Sequence, residues 1–524
     1  MAMGRRKTHQ EQLFLPTARG GGHRFYEALS KLLEEAQFDA KVELLCAPHY
    51  AAEDKPGRPS IAPGLYFRML LIGYFEGIGS ERGIAWRCAD SISLRDFLHL
   101  PSHVAVPDSS TVSRTRRRLP ADVFESVFQL VLAIVDAKGL LRGKVRGVDS
   151  TYLKADASMR SIVRKDTAEG YRDYIKRVTA EDEAAASGGA DEGAGRAGPS
   201  GGDGDGDGPD VVVAEGKSDA EPSTTASADD EAPATPRKVT DEEAVRHDRK
   251  RKKTTSNTDW ASPTDPDARI TRMKNGATRL AYKAEHVVDM ESGAVLAACV
   301  LQGNEHDAST ITSSLIAAEQ NIAAAVPVVG VEAAGEPWHK EPIAEVVADK
   351  GYHKASTLLD LKERGYRTYI PEKKQHGRRT FVDKGGQPAS QAFHANRART
   401  KRRKGKDHQR RRGELLERPN QHLYDRGDLR ELTVTGQANV KKRVLLQAAA
   451  FNLGLVMRKL IGAGTPKWLV AAFVAVFAGV LTSIRVAVTA AAAKEQRNIK
   501  PTWGRLHALM QRTLDGKVVF ASAC

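Results

Sequence analysis

Three acidic positions carry the residue types that a metal-dependent reaction needs. Asp149 stands in the middle of the run VRGVDSTYLK, and Asp349 ends a second apolar run, EVVADKGY. Glu417 follows a basic stretch later in the chain, with Glu414 as the alternative. An unpaired carboxylate is expensive to bury, so an acid inside a strand usually faces a cation. A solvent-facing acid on an edge strand is the other interpretation of Asp149 taken alone.

The chemistry open to three such acids is phosphodiester cleavage and joining. Two divalent cations roughly 3.5 to 4 Å apart activate a water or a 3′-hydroxyl for in-line attack and neutralise the leaving oxygen. Mg²⁺ prefers oxygen ligands and keeps several waters, which leaves room for a substrate phosphate. In this arrangement Asp149 would hold both Mg²⁺ ions, with Mn²⁺ as a possible substitute, while Asp349 would hold one ion and Glu417 the other. Spacing alone also allows three unrelated surface acids.

The elements around Asp149 and Asp349 are expected to bring these two acids together. The pattern predicts strands and helices in the order strand 145–154, strand 279–290, strand 294–302, helix 304–320, strand 342–352, helix 355–364 and strand 366–371. An antiparallel trio continued by parallel strands and helices is a ribonuclease H-like α/β arrangement with a mixed sheet and flanking helices. In such a sheet the two acids converge at neighbouring strands. Residues 155–178 are predicted to be helical.

An all-α domain, residues 1–141, is predicted to precede the sheet. One of its helices begins after Pro107, capped by Asp108 or a following serine, and ends at Pro120. Its composition fits a helix in a DNA groove and equally fits a solvated surface. The candidate DNA-binding residues on this helix are Ser110, Thr111, Arg114, Arg116, Arg117 and Arg118.

A second candidate DNA-binding surface is the basic run at residues 397–412. It contains ten Lys and Arg residues, and Asp407 is its only acid. Such a run is usually solvated, but its position just before the third acid favours contact with phosphates. The residues selected are Lys401, Arg402, Arg403, Lys404, Arg410, Arg411 and Arg412. The net charge of +14 also favours a polyanionic partner.

The remaining sequence predicts how the catalytic domain is interrupted and ended. Residues 179–255 are acidic and then basic, with too few apolar side chains to form a core, so they are predicted to be a disordered insertion. The catalytic domain is then split into residues 142–178 and 256–462, followed by a helical tail at 463–524. The apolar run 468–484 is expected to be a buried or partner-facing helix, with membrane insertion the less favoured interpretation.

Cysteine usage and the N-terminus favour the cytoplasm. The four cysteines are scattered without a CxxC pair, which indicates neither a zinc ribbon nor a disulfide framework. The N-terminal segment MAMGRRKTHQEQ has no apolar stretch typical of a secretory signal. His286 and His353 lie near the acids, and we assign them supporting roles at most.

Several motifs resemble those of the DDE transposases of bacterial insertion sequences. They are GVDSTYLKADASMRSIVRKD around Asp149, LAYKAEHVVDMESGAV, VADKGYH around Asp349, RRRGELLER and AAAFNLG, together with LYFRMLLIGYFEGIGSERGI and PDSSTVSRTRRRL in the N-terminal region. The resemblance implies that Asp149, Asp349 and Glu417 form the metal triad. The family's third motif commonly has an Arg and a Lys at set distances from its Glu; Gly413 and Tyr424 stand there for Glu417.

The resemblance also implies a function and a setting. The expected protein binds double-stranded DNA at the terminal inverted repeats of its element, cuts and transfers the strand ends, and pairs two ends as a dimer in the bacterial cytoplasm, near the nucleoid. A catalytically inactive or repurposed DNA-binding protein is one alternative. A ribonuclease H-like nuclease that cuts without joining is another.

Overall fold

The computed structural model describes residues 22–50, 60–101, 103–141, 143–188, 239–250, 256–273, 275–325, 345–373, 386–469 and 481–486, with a few isolated positions besides. The chain divides into two compact units. The larger contains Met1–Ala157 and Thr264–Cys524, and the smaller is Ser158–Pro263. The helices of the first 141 residues belong to the same unit as the main sheet.

The N-terminal part of the larger unit is helical, as the sequence predicts. Asp108 caps α6 (Ser109–Arg118) by accepting a hydrogen bond from the Thr111 amide at 2.8 Å, and the helix ends just before Pro120. Phe67 and Phe124 pack with their ring centroids 5.2 Å apart in the core between α3 and α7. The helices are α1 (Arg24–Glu35), α2 (Phe38–Cys46), α3 (Pro63–Glu76), α4 (Glu81–Asp90), α5 (Ile92–Phe97), α6 (Ser109–Arg118) and α7 (Ala121–Ala137).

The main sheet is mixed and has six strands. The strands of the chain are β1 (Val145–Lys154), β2 (Val163–Arg164), β3 (Trp260–Ala261), β4 (Arg269–Arg272), β5 (Thr278–Asp289), β6 (Val295–Gln302), β7 (Glu345–Ala348) and β8 (Arg367–Tyr369). The order β4-β5-β1-β7-β8 forms the main sheet, and β6 pairs with β5 beside β4. β1 is antiparallel to β5 and parallel to β7, and β7 is parallel to β8. This confirms the ribonuclease H-like mixed sheet.

Helices cover both faces of this sheet. Ser150 and Glu285 point to α10 (Asp307–Ala324), whereas Gly147 and Asp149 point to α13 (Arg403–Asp425) on the other face. On that second face the Asn452 side chain of α14 bonds both the amide and the carbonyl of Val295. The later helices are α8 (Tyr171–Gly188), α9 (Asp241–Lys250), α10 (Asp307–Ala324), α11 (Ala355–Glu363), α12 (Gly386–Lys401), α13 (Arg403–Asp425) and α14 (Gln437–Ile461).

The prediction for the segment after β1 was partly wrong. A helix was expected over 155–178, but a short 3-10 turn at Met159–Ser161 and strand β2 come first, and α8 begins only at Tyr171. β2 pairs with β3, about a hundred residues further along the chain, and this distant pairing overrides the local helical pattern. In the smaller unit Trp260 packs edge-on against Tyr171 and Tyr174.

The predicted disordered insertion was also too wide at both ends. Residues 179–188 and 241–250 are helical, and ion pairs join α8 and α9: Lys176 bonds Asp241 at 2.7 Å, and His247 lies 3.1 Å from Asp182. The rest of the prediction, for residues 189–238 and 251–255, lies outside the described residues.

One described helix is long and apolar enough to cross a membrane, and it runs over Gln437–Leu469. Its most apolar window is 72% buried within the protein, as expected for a core helix. α14, which forms most of it, packs on β6 and α7. The run 468–484, predicted to be a buried or partner-facing helix, lies mostly outside the described residues.

Candidate active site

The sheet places Asp149 and Asp349 side by side. β1 and β7 are parallel, and the last pair in their register joins Val148 to Ala348. Asp149 is the next residue of β1, and Asp349 directly follows the last residue of β7, so their backbones continue from the same level of two strands that lie about 4.8 Å apart. Both side chains are partly exposed. The register therefore brings the backbones of the two acids next to each other, and their role as a metal-binding pair stays a prediction.

A tight turn fixes the backbone around Asp349. Its carboxylate accepts a hydrogen bond from the Gly351 amide at 2.6 Å, which caps the 3-10 helix Lys350–Tyr352. At the end of this turn the Tyr352 hydroxyl donates to the buried Glu285 carboxylate at 2.8 Å. The turn is thus bonded to a buried side chain of the sheet through Tyr352 and to the Asp349 carboxylate through Gly351. These two hydrogen bonds orient Asp349.

Helix α13 lies over β1 next to Asp149. Leu416 packs against Gly147 so closely that a Cβ at 147 would lie 2.7 Å from its Cδ2 atom. One turn later, the Asn420 Nδ2 atom donates to Asp149 Oδ2 at 2.9 Å. Sequence reasoning did not select Asn420, because a lone Asn in a polar helix carries no catalytic signal. The bond fixes one oxygen of Asp149 and the height of α13 above the strand.

The third acid is not gathered with the other two. Glu417 is exposed, and no three His, Cys, Asp or Glu side chains in the described parts of the chain are grouped to hold a metal ion. At about 100° per residue, Glu417 lies about 60° around the helix from Asn420, and Glu414 lies about 120° away. Glu414 is also engaged by Arg418 at 3.0 Å. The helix geometry favours Glu417 over Glu414.

The donor atoms present suit a hard divalent cation. Carboxylate oxygens are the ligands that Mg²⁺ and Mn²⁺ take. Asp149 and Asp349 supply such oxygens from adjacent strands, and α13, which packs on β1, carries the exposed Glu417. The residues therefore fit the implied metal by chemical type, with two of the three acids already adjacent.

Comparison with protein families identifies the chain. Residues 17–118 match the family model described as Transposase domain (DUF772), and residues 240–453 match the Transposase DDE domain. The chain belongs to the DDE transposases of insertion sequences. The second match includes Asp349 and Glu417, whereas Asp149 lies between the two matched regions. No curated protein and no solved structure matches the transposase.

The arginine-rich helix α6 of the transposase has two kinds of arginine. Arg116 is 15% exposed and pairs with Glu81 of α4 at 2.8 Å, and the Arg118 guanidinium lies 5.1 Å from the centre of the Tyr50 ring. Arg114 is exposed and folds back onto Ser110, while Arg117 is exposed. The outer arginines of α6 are available to a partner, whereas Arg116 holds the helix to its neighbour.

Ser110 and Thr111 of the transposase belong to the cap of α6. Their hydroxyls donate to the Asp108 carboxylate at 2.7 and 3.3 Å. These bonds lower the pKa of Asp108, with the Ser110 hydroxyl the largest cause. The two hydroxyls therefore order the start of the helix, next to the exposed Arg114.

The basic run is helical and spans the end of α12 and the start of α13. Lys401, Arg402 and Arg403 are exposed at the junction, and Arg410 is 81% exposed, 3.6 Å from Asp407. The other three selected residues contact the protein, although Lys404, at 60%, and Arg411 are also exposed. Lys404 pairs with Glu345, Arg411 donates to the Met290 carbonyl at 2.7 Å, and Arg412 has a buried Nε atom with no hydrogen-bond partner in the described structure.

A buried acid that sequence reasoning missed anchors this basic segment of the transposase. Glu345, at the start of β7, accepts from Lys404 at 2.5 Å, and His408 Nε2 lies 3.1 Å from its other oxygen. Burial raises the pKa of Glu345, but the hydrogen bond and charge of Lys404 oppose this, and the net pKa is lowered. α13 is thereby held to the strand that leads to Asp349.

The two histidines near the acids differ in their surroundings. His286 pairs with Asp149 across β1 and β5 and is fully buried, and burial lowers its pKa to about 4. Both its ring nitrogens lack a hydrogen-bond partner within the described structure. The His353 ring packs edge-on against Phe393, 5.2 Å between centroids.

Proposed function

We propose that this transposase binds the terminal inverted repeats of an insertion sequence and catalyses metal-dependent DNA cleavage and strand transfer. The observation that carries the proposal is the register of β1 and β7, which puts Asp149 and Asp349 at the same level beneath α13. The alternative is that these are ordinary surface acids. That alternative gives no reason for two partly exposed acids to stand at adjacent positions of parallel central strands.

Each residue has a separate task in this proposal. Asp149 and Asp349 would hold Mg²⁺ or Mn²⁺, with Glu417 as the third ligand. Bound there, such ions would supply activation of the nucleophile and neutralisation of the leaving oxygen. Asn420 holds one oxygen of Asp149 by its hydrogen bond, which orients that carboxylate. Glu417 stands at the exposed edge of α13, where a DNA phosphate and its cation would approach.

Two exposed basic surfaces support DNA as the substrate. Arg114 and Arg117 on α6 would contact the repeat, and the junction of α12 and α13 would contact phosphates beside the acids. Phosphate contacts give affinity and position, and base contacts give sequence preference. The proposal assigns repeat recognition to α6 and phosphate binding to the junction.

The test is a strand-transfer assay on a labelled transposon end with Mg²⁺ or Mn²⁺. Asp149→Asn, Asp349→Asn and Glu417→Gln are expected to lower both cleavage and joining at least about 100-fold, because each removes a charge that would hold a cation. Glu414→Gln is the matched control on the same helix, expected to remain near the wild-type rate. Strand transfer by Asp149→Asn at the wild-type rate would contradict the assignment of Asp149 as a metal ligand.

The same assay separates the alternatives. Cleavage without joined product identifies a nuclease, and binding of the repeat without either product identifies a repurposed DNA-binding protein. Repeat sequences flanking the gene supply the DNA to be used.

The assembly and location follow from the same proposal. Two transposon ends are to be joined in one reaction, so the active form is proposed to be a dimer or larger complex on double-stranded DNA. Light scattering of the protein with and without a transposon end measures the mass of the complex and therefore the number of subunits in it. The cytoplasm, at the nucleoid, is the proposed location.

A further inference from the structure

Asp307, the first residue of α10, makes contacts that its place in the sequence does not reveal. Its side chain is 29% exposed. Its Oδ1 atom accepts a hydrogen bond from the Ser150 hydroxyl at 2.8 Å and from Lys283 Nζ at 3.1 Å. Ser150 directly follows Asp149 in β1, so Asp307 holds the backbone next to the first proposed metal ligand.

The second oxygen of Asp307 lies close to Asp349. A Cβ atom added at Gly351 would lie 2.6 Å from Asp307 Oδ2 and 2.7 Å from Asp349 Oδ1. Both carboxylates therefore contact the same glycine from different elements. Asp307 thus reaches β1 with one oxygen and the turn after β7 with the other.

A buried lysine balances the charge of Asp307. Lys283 on β5 is fully buried, and its ammonium also bonds the Glu305 carbonyl at 3.1 Å and the Thr310 hydroxyl at 3.2 Å. A buried ammonium is costly unless it is paired and hydrogen-bonded. Glu285, 4.0 Å from Lys283, also accepts from Tyr352, so one polar cluster joins β5, α10 and the turn that carries Asp349.

We propose that Asp307 is a positioning residue for the acid site: it fixes Asp149 through Ser150 and Asp349 through the turn at Gly351. This inference rests on the proposed function, since it concerns the same metal ligands. Side chains that orient metal ligands typically change metal affinity or activity 10- to 100-fold when they are removed.

The test measures Mn²⁺ binding to the full-length protein by electron paramagnetic resonance, and cleavage of a transposon end over a range of Mn²⁺ concentrations. Asp307→Asn is expected to weaken Mn²⁺ binding about 10-fold or more. Saturating Mn²⁺ is expected to restore most of the maximal cleavage rate, which a merely misfolded protein would not show. Asp122→Asn, a first-turn acid of α7 on the exposed surface, is the matched control and should bind Mn²⁺ as wild type does.

A second variant protects the test against loss of folding, because Asp307→Asn leaves Lys283 without its nearest counter-charge. Ser150→Ala removes the bond from β1 to Asp307 and keeps the ion pair, and it is expected to weaken Mn²⁺ binding by a few-fold. Wild-type Mn²⁺ affinity in both folded variants overturns the inference. If Asp307→Asn does not fold, Ser150→Ala alone decides.

The outcome distinguishes this inference from the proposed function. Asp149→Asn and Asp349→Asn proteins that keep both Mn²⁺ affinity and strand transfer overturn the proposed function. If those two lose both properties while Asp307→Asn and Ser150→Ala keep them, only the positioning role of Asp307 fails.

Discussion

Gly351→Ala displaces the acids without removing any functional group. The new methyl would lie 2.6 Å from Asp307 Oδ2 and 2.7 Å from Asp349 Oδ1, whereas ordinary contact begins at 3.4 Å. The two oxygens must therefore retreat by about 0.8 and 0.7 Å. The backbone of Gly351 does not need a positive φ, so alanine itself is not strained there. The substitution moves two carboxylates and little else.

The expected effect is on rate more than on stability. A misplacement of about 1 Å at a catalytic centre can cost about 100-fold, so we expect cleavage of a transposon end to fall roughly 10- to 100-fold. Both carboxylates are partly exposed and can turn toward solvent, so the loss of unfolding free energy should stay below about 2 kcal/mol. Single-turnover cleavage and thermal unfolding measure the two quantities.

The matched control is Gly170→Ala in the smaller unit. Its added methyl meets only a carboxylate oxygen of Asp173, at the ordinary distance of 3.4 Å. Its cleavage rate should remain within about threefold of wild type. Wild-type cleavage by Gly351→Ala, with the protein folded, would refute the reasoning that Asp349 works from its present position.

Three further predictions concern charge. Gln substitutions at the exposed basic residues Lys401, Arg402, Arg403 and Arg410 should weaken binding to all DNA sequences alike. They should also reduce the slope of log affinity against log salt by roughly one for each phosphate that is no longer neutralised. Arg117→Ala should lower repeat affinity with an unchanged melting temperature, whereas Arg116→Ala should destabilise the fold by roughly 1 kcal/mol by leaving Glu81 unpaired. Because folding lowers the pKa of Glu345, its ionised carboxylate stabilises the fold above pH 4.5, the ordinary glutamate pKa. This stabilisation is lost as the pH falls through the lowered pKa. The melting temperatures of wild type and Glu345→Gln should therefore converge below pH 4.5, and a gap that widens with acid contradicts the role given to Lys404.

The order of the main strands and helices could be predicted because each has a local signal. Apolar runs marked β5, β6 and β7, and the turn with Gly293 at a positive φ marked the hairpin between β5 and β6. The short strand β4 was missed. It has four residues, and what makes it a strand is its pairing with the start of β5, which no local pattern records.

The candidate site was predictable only in part, for the same reason. Asp149 and Asp349 stand out because they interrupt apolar strands, and the strand order predicts that they meet. Asn420 and Asp307 look like ordinary helix residues in the sequence, and their contacts with β1 come from packing across 271 and 157 positions. Which of Glu417 and Glu414 faces the other acids depends on the rotation of α13 about its own axis relative to β1. The spacing of residues along the chain does not determine that rotation.

The register around β5 shows how close together the chain leaves and re-enters the main sheet. Ala281 pairs with Lys154 of β1 on one side and with Arg269 of β4 on the other. The chain therefore leaves and re-enters the sheet at points only two strand spacings apart, about 10 Å. A few extended residues span such a gap. Insertions or deletions within residues 158–263 are therefore expected to leave the neighbours of the strand that carries Asp149 unchanged.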